Sequence, residues 1–192
     1  MAEQGFVTVD SFLSPELYTL LSQRMKELLL HDELEQAGIG TQQDFRIKEG
    51  IRGDSISWLD DMHETEALYL QEMASLMQHL NRGFMLSLSG MEFHFAAYPI
   101  GSFYKRHFDQ FKERNNRMIS AILYLNSEWK PEDAGELRIY HNHQIIDIAP
   151  IGNRLVLFRS DLLEHEVLPT NFLRKSITGW FLYRPEGLSF LG

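Results

Sequence analysis

The spacing of apolar residues along the chain changes near residue 90. Before that point, apolar side chains recur at intervals of three and four residues, which is the period of a helix with one buried face. After it, short runs of alternating apolar and polar residues are separated by turn residues, as in strands with one buried face. The pattern therefore predicts supporting helices first and a strand-rich part after them.

Two helices are predicted in the first part of the chain, after a short strand at residues 6–9. Ser14 is a suitable N-cap and Pro15 suits the first helical position. The second helix covers residues 65–81, and Gly83 lies just past its predicted end. Helical spacing in the first helix is carried by Leu17, Leu20, Leu21, Met25, Leu28 and Leu29. Both apolar stripes are expected to pack on one face of a sheet.

Residues 31–53 break the periodic pattern, with glycines at positions 38, 40, 50 and 53 and few large apolar side chains. Irregular segments of this length are uncommon in compact domains and often act as lids or binding loops. A plain surface loop is an equal alternative. Strand-like alternation at residues 51–59 closes the segment.

The second part of the chain predicts an all-β core. Eight short strands with turns between them are typical of a sandwich or jelly roll. The predicted strands are residues 91–98, 103–109, 118–126, 135–140, 144–148, 154–159, 165–168 and 174–183. We expect a mainly β fold, a double-stranded β-helix (jelly roll) supported by N-terminal α-helices. Residues 1–192 form a single domain, with helical support and a lid loop in 1–89 and the jelly-roll core in 90–192.

Composition and charge narrow the candidate functions. With no cysteine in the chain, a metal site must use His, Asp or Glu. A net charge of -9 argues against nucleic acid as the main partner. No apolar run approaches the roughly 18 to 20 residues of a membrane span, and the N-terminus lacks the pattern of a signal peptide. We therefore expect a cytoplasmic protein without nucleic-acid or membrane partners.

A His-x-Asp pair, His107 and Asp109, ends one predicted strand. Residues i and i+2 of a strand point to the same face, so one imidazole and one carboxylate can meet there. A second histidine from a distant strand would complete the set that suits non-haem Fe(II). His165 is the best third ligand, whereas His141 and His143 lie in a predicted hairpin turn. The alternative is a surface His and Asp without a metal, since the chain has 8 histidines.

The last predicted strand places Arg174, Ser176, Thr178 and Trp180 on one face. If that face points into the barrel, its arginine must be paired, and a ligand carboxylate would suit the fork of a guanidinium. Tyr124, on another predicted strand, could donate its hydroxyl to the same carboxylate. The alternative is that this face is exposed to solvent.

Several motifs follow one another in a specific order, with Arg174 nine positions after His165. They are Ile51-Arg52-Gly53-Asp54, Ala97-Tyr98-Pro99, Tyr104-Lys105-Arg106-His107-Phe108-Asp109, Leu123-Tyr124-Leu125-Asn126, Gly135-Glu136-Leu137-Arg138, His165-Glu166-Val167-Leu168-Pro169 and Arg174-Lys175-Ser176-Ile177-Thr178-Gly179-Trp180. In this order the chain resembles the Fe(II)- and 2-oxoglutarate-dependent oxygenases. Within them it is similar to the prolyl hydroxylases of the hypoxia-inducible-factor type and their bacterial relatives.

The resemblance implies a role for each matching residue. His107, Asp109 and His165 would bind Fe(II) and form the catalytic centre, and Arg174 and Tyr124 would hold the distal carboxylate of 2-oxoglutarate. The other implied roles are cofactor-pocket lining by Tyr98, Leu137, Val167 and Thr178, and substrate binding by Tyr104, Trp180, Arg52 and Asp54. The implied reaction hydroxylates a prolyl residue of a protein or peptide with O2, and yields succinate and CO2.

The chain departs from the family in two places. His94 stands where relatives often have an apolar residue, and it would contact cofactor or substrate or be a hydrogen-bonded structural histidine. Residues 110–117 are particular to this chain, which leaves the substrate open. The alternatives are an oxygenase of a free amino acid or other small molecule, and a non-catalytic jelly roll that binds a ligand.

Overall fold

A computed structural model describes residues 4–37, 51–110 and 116–183 of the chain. These residues form two α-helices and eleven strands, with a short 3-10 turn at Pro131–Asp133. In chain order they are β1 (Phe6–Val9), α1 (Pro15–Leu30), β2 (Glu35–Gln36), β3 (Ser55–Trp58), α2 (Glu64–Phe84), β4 (Leu88–Tyr98), β5 (Tyr104–His107), β6 (Arg117–Tyr124), β7 (Leu137–His141), β8 (Gln144–Ile148), β9 (Leu155–Arg159), β10 (Glu164–Val167) and β11 (Arg174–Tyr183).

The strands form two antiparallel sheets, which we call the major and the minor sheet. The major sheet has the order β1-β9-β6-β11-β4-β3-β2, and the minor sheet has the order β5-β10-β7-β8. Each of the eight strands predicted after residue 90 is present, with ends shifted by up to three residues. The mainly β, jelly-roll prediction is confirmed, and β1, β2 and β3 from the first part of the chain extend the major sheet.

The two helices pack on the outer face of the major sheet, as the apolar stripes predict. Met25 of α1 and Met73 of α2 lie in one buried cluster with Ile177 and Phe181 of β11. Because side chains alternate across a strand, the other face of β11 is turned toward the minor sheet. The helices therefore decide which face of β11 is left for a site.

A second, smaller core lies between the sheets. Ile122 and Phe158 of the major sheet pack there with Leu137 and Ile139 of the minor sheet. On the same inner side of β11, Arg174 has an exposed fraction of only 1%. The solvent-exposed alternative for this face is therefore wrong.

The predicted start of α1 is confirmed, but the predicted end of α2 is wrong. The Ser14 hydroxyl accepts a hydrogen bond from the N–H of Leu17, at 3.2 Å, and Pro15 opens the helix. Gly83 lies inside α2, and the left-handed residue after the helix is Met85, with a φ of 51°. Two hydrogen bonds of 2.9 Å between the side chain of Asn81 and the backbone of Leu88 join this helix end to β4, and they fix the length of the turn.

The described residues include only the two ends of the predicted lid loop, residues 31–37 and 51–53. Glu35 and Gln36 form β2, which pairs with β3, and the strand predicted at residues 51–59 is shorter, Ser55–Trp58. Residues 38–50 lie outside the described residues, so the lid stays a prediction. The division of the domain at residue 90 also stays a prediction. Neither helix in the described ranges has the length and hydropathy that crossing a membrane requires.

Candidate active site

Three predicted metal ligands converge between the sheets. In the minor sheet His107 of β5 lies directly opposite His165 of β10, and Asp109 follows just past the end of β5. The Asp109 carboxylate lies 3.3 Å from Nε2 of His107 and 3.6 Å from Nε2 of His165. One ligand atom from each residue falls within 4.8 Å of the others, and the described residues hold no second group of this kind.

Backbone carbonyls orient the two imidazoles. Nδ1 of His107 donates a hydrogen bond to the carbonyl of Lys105 at 2.7 Å, and Nδ1 of His165 donates to the carbonyl of Leu163 at 3.3 Å. Because a carbonyl only accepts, the proton must lie on Nδ1 in each ring. In the neutral form of each ring Nε2 then keeps its lone pair and can bind a cation, which is the usual arrangement of histidine ligands.

Asp109 is held as a carboxylate by its neighbours. Burial opposes its charge, but the positive charge that His165 and His107 carry when protonated, and a hydrogen bond from Ser120, lower its pKa well below the usual range. The Ser120 hydroxyl donates to Oδ2 of Asp109 at 2.6 Å, and Ser160 in turn lies 2.8 Å from Ser120. Neither serine stands out in the sequence, although Ser120 shares a strand face with Tyr124.

The protonation states fit a divalent cation. Burial lowers the pKa of His165 to about 4, so its imidazole is neutral near pH 7. Tyr104 stacks on His107 at a centroid distance of 3.8 Å, and Phe158 contacts His165 edge-on at 4.6 Å, so both rings are held in place. Two neutral imidazoles and one carboxylate with open positions suit non-haem Fe(II).

The buried guanidinium of Arg174, at the start of β11, lies on the same inner face. Nε of Arg174 donates to the carbonyl of Gly135 at 2.9 Å, while its Nη2 has no hydrogen-bond partner among the described residues. The hydroxyl of Tyr124 is likewise buried without a partner in the described ranges. The guanidinium carbon lies 5.0 Å from the ring of Tyr124 and 4.9 Å from the ring of Tyr98. Two unpaired donors next to each other fit a carboxylate, because a buried charge without a partner is costly.

Gly135 permits the close approach that orients this arginine. Its φ is +77°, a conformation that glycine adopts readily, and a Cβ there would lie 2.9 Å from Thr170 and 3.3 Å from Cδ of Arg174. A larger residue would displace the carbonyl that receives Nε of Arg174. The motif Gly135-Glu136-Leu137 thus supports the arginine from the opposite sheet.

The structure brings the predicted lining residues to this space. Tyr98, Leu137 and Val167 are buried, and Thr178 is half-buried with its hydroxyl 3.2 Å from that of Ser176. Trp180 lies opposite Ser120 in the register of β11 and β6, and it therefore stands level with the serine that contacts Asp109.

The predicted substrate residues Arg52, Asp54 and Tyr104 adjoin the metal group. Arg52 donates two hydrogen bonds to the carboxylate of Asp54, at 2.7 and 2.5 Å. Burial opposes the charge of Arg52, but the contact with Asp54 outweighs it and raises the pKa of the guanidinium. The guanidinium carbon also lies 4.7 Å from the ring centre of Tyr104, which itself stacks on His107. These contacts fix Arg52 and Tyr104 relative to the metal ligand His107.

His94 lies on the inner face of β4 between two tryptophans. Its ring is 4.9 Å from Trp58 and 5.5 Å from Trp180. Within the described part of the chain its Nδ1 is buried and has no hydrogen-bond partner. Among the described residues, no hydrogen bond at this nitrogen supports the alternative of a structural histidine.

His141 and His143, the two other histidines considered as metal ligands, lie in the hairpin between β7 and β8. His141 ends β7, and Asn142 and His143 form the turn to β8 with positive φ values of 46° and 63°. The predicted hairpin turn is confirmed, and His141 and His143 are not part of the group of metal ligands.

Comparison with known proteins adds relatives that share both sequence and fold. A family model described as "2OG-Fe(II) oxygenase superfamily" matches residues 93–182. The mouse prolyl hydroxylase EGLN3 is 30% identical over 196 residues, covering 96% of this chain and 81% of that protein.

Two relatives of known structure are similar over most of their length. A prolyl-4-hydroxylase from Pseudomonas putida has a TM-score of 0.86 and 38% identity, covering 96% of this chain and 95% of that chain. A Trichoplax adhaerens prolyl hydroxylase, in complex with a peptide fragment of the hypoxia inducible factor oxygen degradation domain, has a TM-score of 0.85 and 28% identity. The match covers 94% of this chain and 84% of that one.

Proposed function

This chain belongs to the 2OG-Fe(II) oxygenase superfamily, and we propose that it hydroxylates a prolyl residue within a protein or peptide. The family implies Fe(II), 2-oxoglutarate and O2 as reactants and succinate and CO2 as co-products. The three relatives described above are prolyl hydroxylases, and one of them holds a peptide. The chain's own observation that best supports the proposal is the pair of unpartnered donors, on Arg174 and Tyr124, in the space that also holds the metal ligands.

Nε2 of His107, Nε2 of His165 and the carboxylate of Asp109 would hold Fe(II). Bound Fe(II) supplies the activation of O2, at the expense of 2-oxoglutarate. The chain's contribution is to hold these three groups on one side of the ion, since the carbonyls behind the imidazoles and the Ser120 hydroxyl behind the carboxylate fix their directions.

Arg174 and Tyr124 would bind the distal carboxylate of 2-oxoglutarate. Nη2 of Arg174 and the Tyr124 hydroxyl donate, while the bond from Nε to Gly135 holds the guanidinium plane. Burial raises the pKa of Tyr124 despite the nearby Arg174 charge, so the hydroxyl keeps the proton that it donates. Tyr98, Leu137 and Val167 would exclude water around the rest of the cosubstrate.

We place the substrate at the side of the metal group that Tyr104, Arg52, Asp54 and Trp180 border. The Arg52–Asp54 pair would anchor one end of the predicted lid loop, and Tyr104, which contacts both Arg52 and His107, would border this side. We further propose a cytoplasmic location, one catalytic domain over residues 1–192, and no nucleic-acid partner, the last because of the net charge of -9. Oxidation of a free amino acid is not favoured, because the similar relatives are prolyl hydroxylases.

The test uses the purified protein with Fe(II), 2-oxoglutarate and a pool of N-acetylated, C-amidated peptides centred on proline. We expect succinate and peptides that carry one added oxygen atom on proline, detected by mass spectrometry. His107→Ala should abolish both products. Equal succinate from wild type and His107→Ala would refute the enzymatic assignment. Turnover on free L-proline but on no peptide would refute the peptide substrate alone.

A further inference from the structure

His94 lies in a part of the inner face that the mechanism above does not use. In the major sheet it pairs with Thr178 of β11 on one side and with Trp58 of β3 on the other. It lies four residues before Tyr98, so both side chains point to the inner face of β4. Its exposed fraction is 3%, whereas that of Trp58 is 53%. The imidazole thus lies just beneath an exposed aromatic ring at the edge of the site.

Two buried polar atoms on neighbouring rings lack partners among the described residues. Neither Nδ1 of His94 nor Nε1 of Trp180 has a hydrogen-bond partner among the described residues, and the two ring centres are 5.5 Å apart. An unsatisfied buried polar atom costs roughly 1 to 3 kcal/mol. Trp180 can only donate, while a neutral imidazole can donate or accept. Together they are complementary to a polar group that supplies an acceptor to one and a partner to the other.

The charge state of His94 selects the class of that group. Burial, and then the charge of Arg52, lower the pKa of His94 to about 3, so the ring is neutral at physiological pH. A neutral ring stabilises an uncharged amide, whereas a carboxylate is better held by a cation, as Arg174 provides. His94 contacts Trp58, whose side chain is exposed, so this polar pair lies one side chain below the surface.

We propose that His94, together with the indole N–H of Trp180, hydrogen-bonds a main-chain amide of the substrate beside the residue that is oxidised. His94 is therefore a specificity-determining residue that favours proline inside a peptide, with neutral amides on both sides, over free proline with its two charges. This inference rests on the proposed function, and it names the part of the substrate that the site recognises.

The kinetic test compares His94→Leu with His94→Asn, using the best peptide from the blocked pool. Leucine removes the hydrogen-bonding nitrogen at similar volume, while the asparagine amide places a polar atom near the position of Nδ1. We expect KM for the peptide to rise about 10-fold in His94→Leu and to return to within about threefold of wild type in His94→Asn. Turnover number and KM for 2-oxoglutarate should stay within about twofold. His143→Leu, in the exposed hairpin, serves as the matched control and should behave as wild type.

A second measurement does not depend on turnover. The protein, with 15N-labelled histidines, Zn(II) and 2-oxoglutarate, is titrated with N-acetyl-L-proline N-methylamide or with L-proline, and imidazole 15N shifts are recorded by NMR. The proposal requires the His94 nitrogens to shift with the diamide and not with L-proline. Shifts caused by 2-oxoglutarate alone, or no shift with either compound, would overturn it, as would an unchanged peptide KM in His94→Leu. If wild type hydroxylates no peptide, the proposed function fails, and the NMR titration still decides the role of His94.

Discussion

The inner face holds two buried side chains, Arg174 and His94, of which the first is charged and the second is neutral. Arg174 keeps Nη2 free among the described residues, and its guanidinium lies between the rings of Tyr98 and Tyr124. His94 keeps Nδ1 free in the same sense, but burial holds its ring neutral. Since a guanidinium binds carboxylates and a neutral imidazole binds amides, the two parts suit different molecules.

Arg174→Lys should weaken binding of 2-oxoglutarate. Lysine keeps the positive charge but loses the planar fork and the Nε bond to Gly135. We expect KM for 2-oxoglutarate to rise by about 10- to 100-fold, from the loss of roughly 1.5 to 3 kcal/mol of charged hydrogen bonding. Arg138→Lys, in an exposed ion pair with Asp147, is the control and should leave this KM unchanged. Equal KM values for Arg174→Lys and wild type would contradict the assignment.

Ser120→Ala should weaken metal binding without removing a ligand. The hydroxyl donates to Oδ2 of Asp109, and its loss frees the carboxylate to turn. Changes to such supporting groups typically cost about 10- to 100-fold in metal affinity. The Kd for Fe(II), measured anaerobically by calorimetry, should rise by that factor, whereas Ser75→Ala on α2 should leave it as in wild type. An unchanged Kd in Ser120→Ala would mean that the serine has no part in orienting Asp109.

The neutral state of His94 predicts acid sensitivity of the metal-free protein. The folded pKa is about 3 against an ordinary value of 6.5, so between these values the unfolded chain binds more protons at this residue. The free energy of unfolding therefore falls as the pH is lowered from about 6.5 toward 3. Urea denaturation at pH 7 and pH 5 should show a smaller fall in His94→Leu than in wild type. Equal falls would show that His94 is protonated in the folded state.

His107 and Asp109 could be predicted as metal ligands from their i and i+2 spacing, although β5 ends at His107 and Asp109 lies just past it. The role of Ser120 could not be predicted, since its contact with Asp109 depends on how the two sheets pack. The patterns of the predicted strands indicated that Arg174 and Tyr124 could hold a ligand carboxylate, and the resemblance to known oxygenases implied that the ligand is 2-oxoglutarate. The structure adds that both residues have unpaired donors among the described residues. The role of His94 was left open because pairing of its nitrogens cannot be read from a pattern.

At the scale of elements, β11 joins the core and the site. It lies between β4 and β6 in the major sheet, with Ile177 and Phe181 turned to the helices and Arg174 to the minor sheet. The sequence predicts that the side chains of β11 alternate between two faces, but it does not predict which face is the inner one. The packing of α1 and α2 against the first set of residues decides it.

Gly179 gives a sharp test of this strand. A Cβ there would lie 2.2 Å from the carbonyl oxygen of Glu92 and 2.3 Å from the ring of Phe93 on the neighbouring strand. Gly179→Ala should therefore lower the free energy of unfolding by about 1 to 3 kcal/mol, and reduce 2-oxoglutarate turnover because β11 carries Arg174.

The control is Gly83→Ala. Gly83 lies inside α2 and a Cβ there meets nothing within 4 Å, so the substitution should raise the free energy of unfolding by about 0.5 to 1 kcal/mol. Urea denaturation of the metal-free proteins measures both effects. A Gly179→Ala protein as stable as wild type would show that β4 and β11 are not packed as described.

Long periodic elements were the easiest to predict. The bounds of β11 match residues 174–183, and α1 begins at Pro15 as its N-cap indicates. β2 was not predicted, because its two residues, Glu35 and Gln36, are polar and only pairing with β3 makes them a strand. The end of α2 was misplaced because the tie from Asn81 to Leu88 outweighed the turn preference of Gly83.

At the scale of the whole molecule, the two sheets enclose the candidate site and the helices stiffen one of them. The minor sheet supplies both histidines, while the major sheet supplies Arg174, Tyr124 and Ser120. Catalysis therefore requires the two sheets to keep their positions relative to each other. The same architecture, with substantial sequence identity, occurs in the prolyl-4-hydroxylase of Pseudomonas putida.

Mass spectrometry of the host proteome tests prolyl hydroxylation most directly. Cells that lack this protein are complemented with the wild type or with His107→Ala, and tryptic peptides are compared for one added oxygen on proline. We expect at least one proline that is hydroxylated in cells with the wild type and unmodified in cells with His107→Ala. Identical hydroxyproline profiles in the two strains, with both proteins expressed at equal levels, would contradict it.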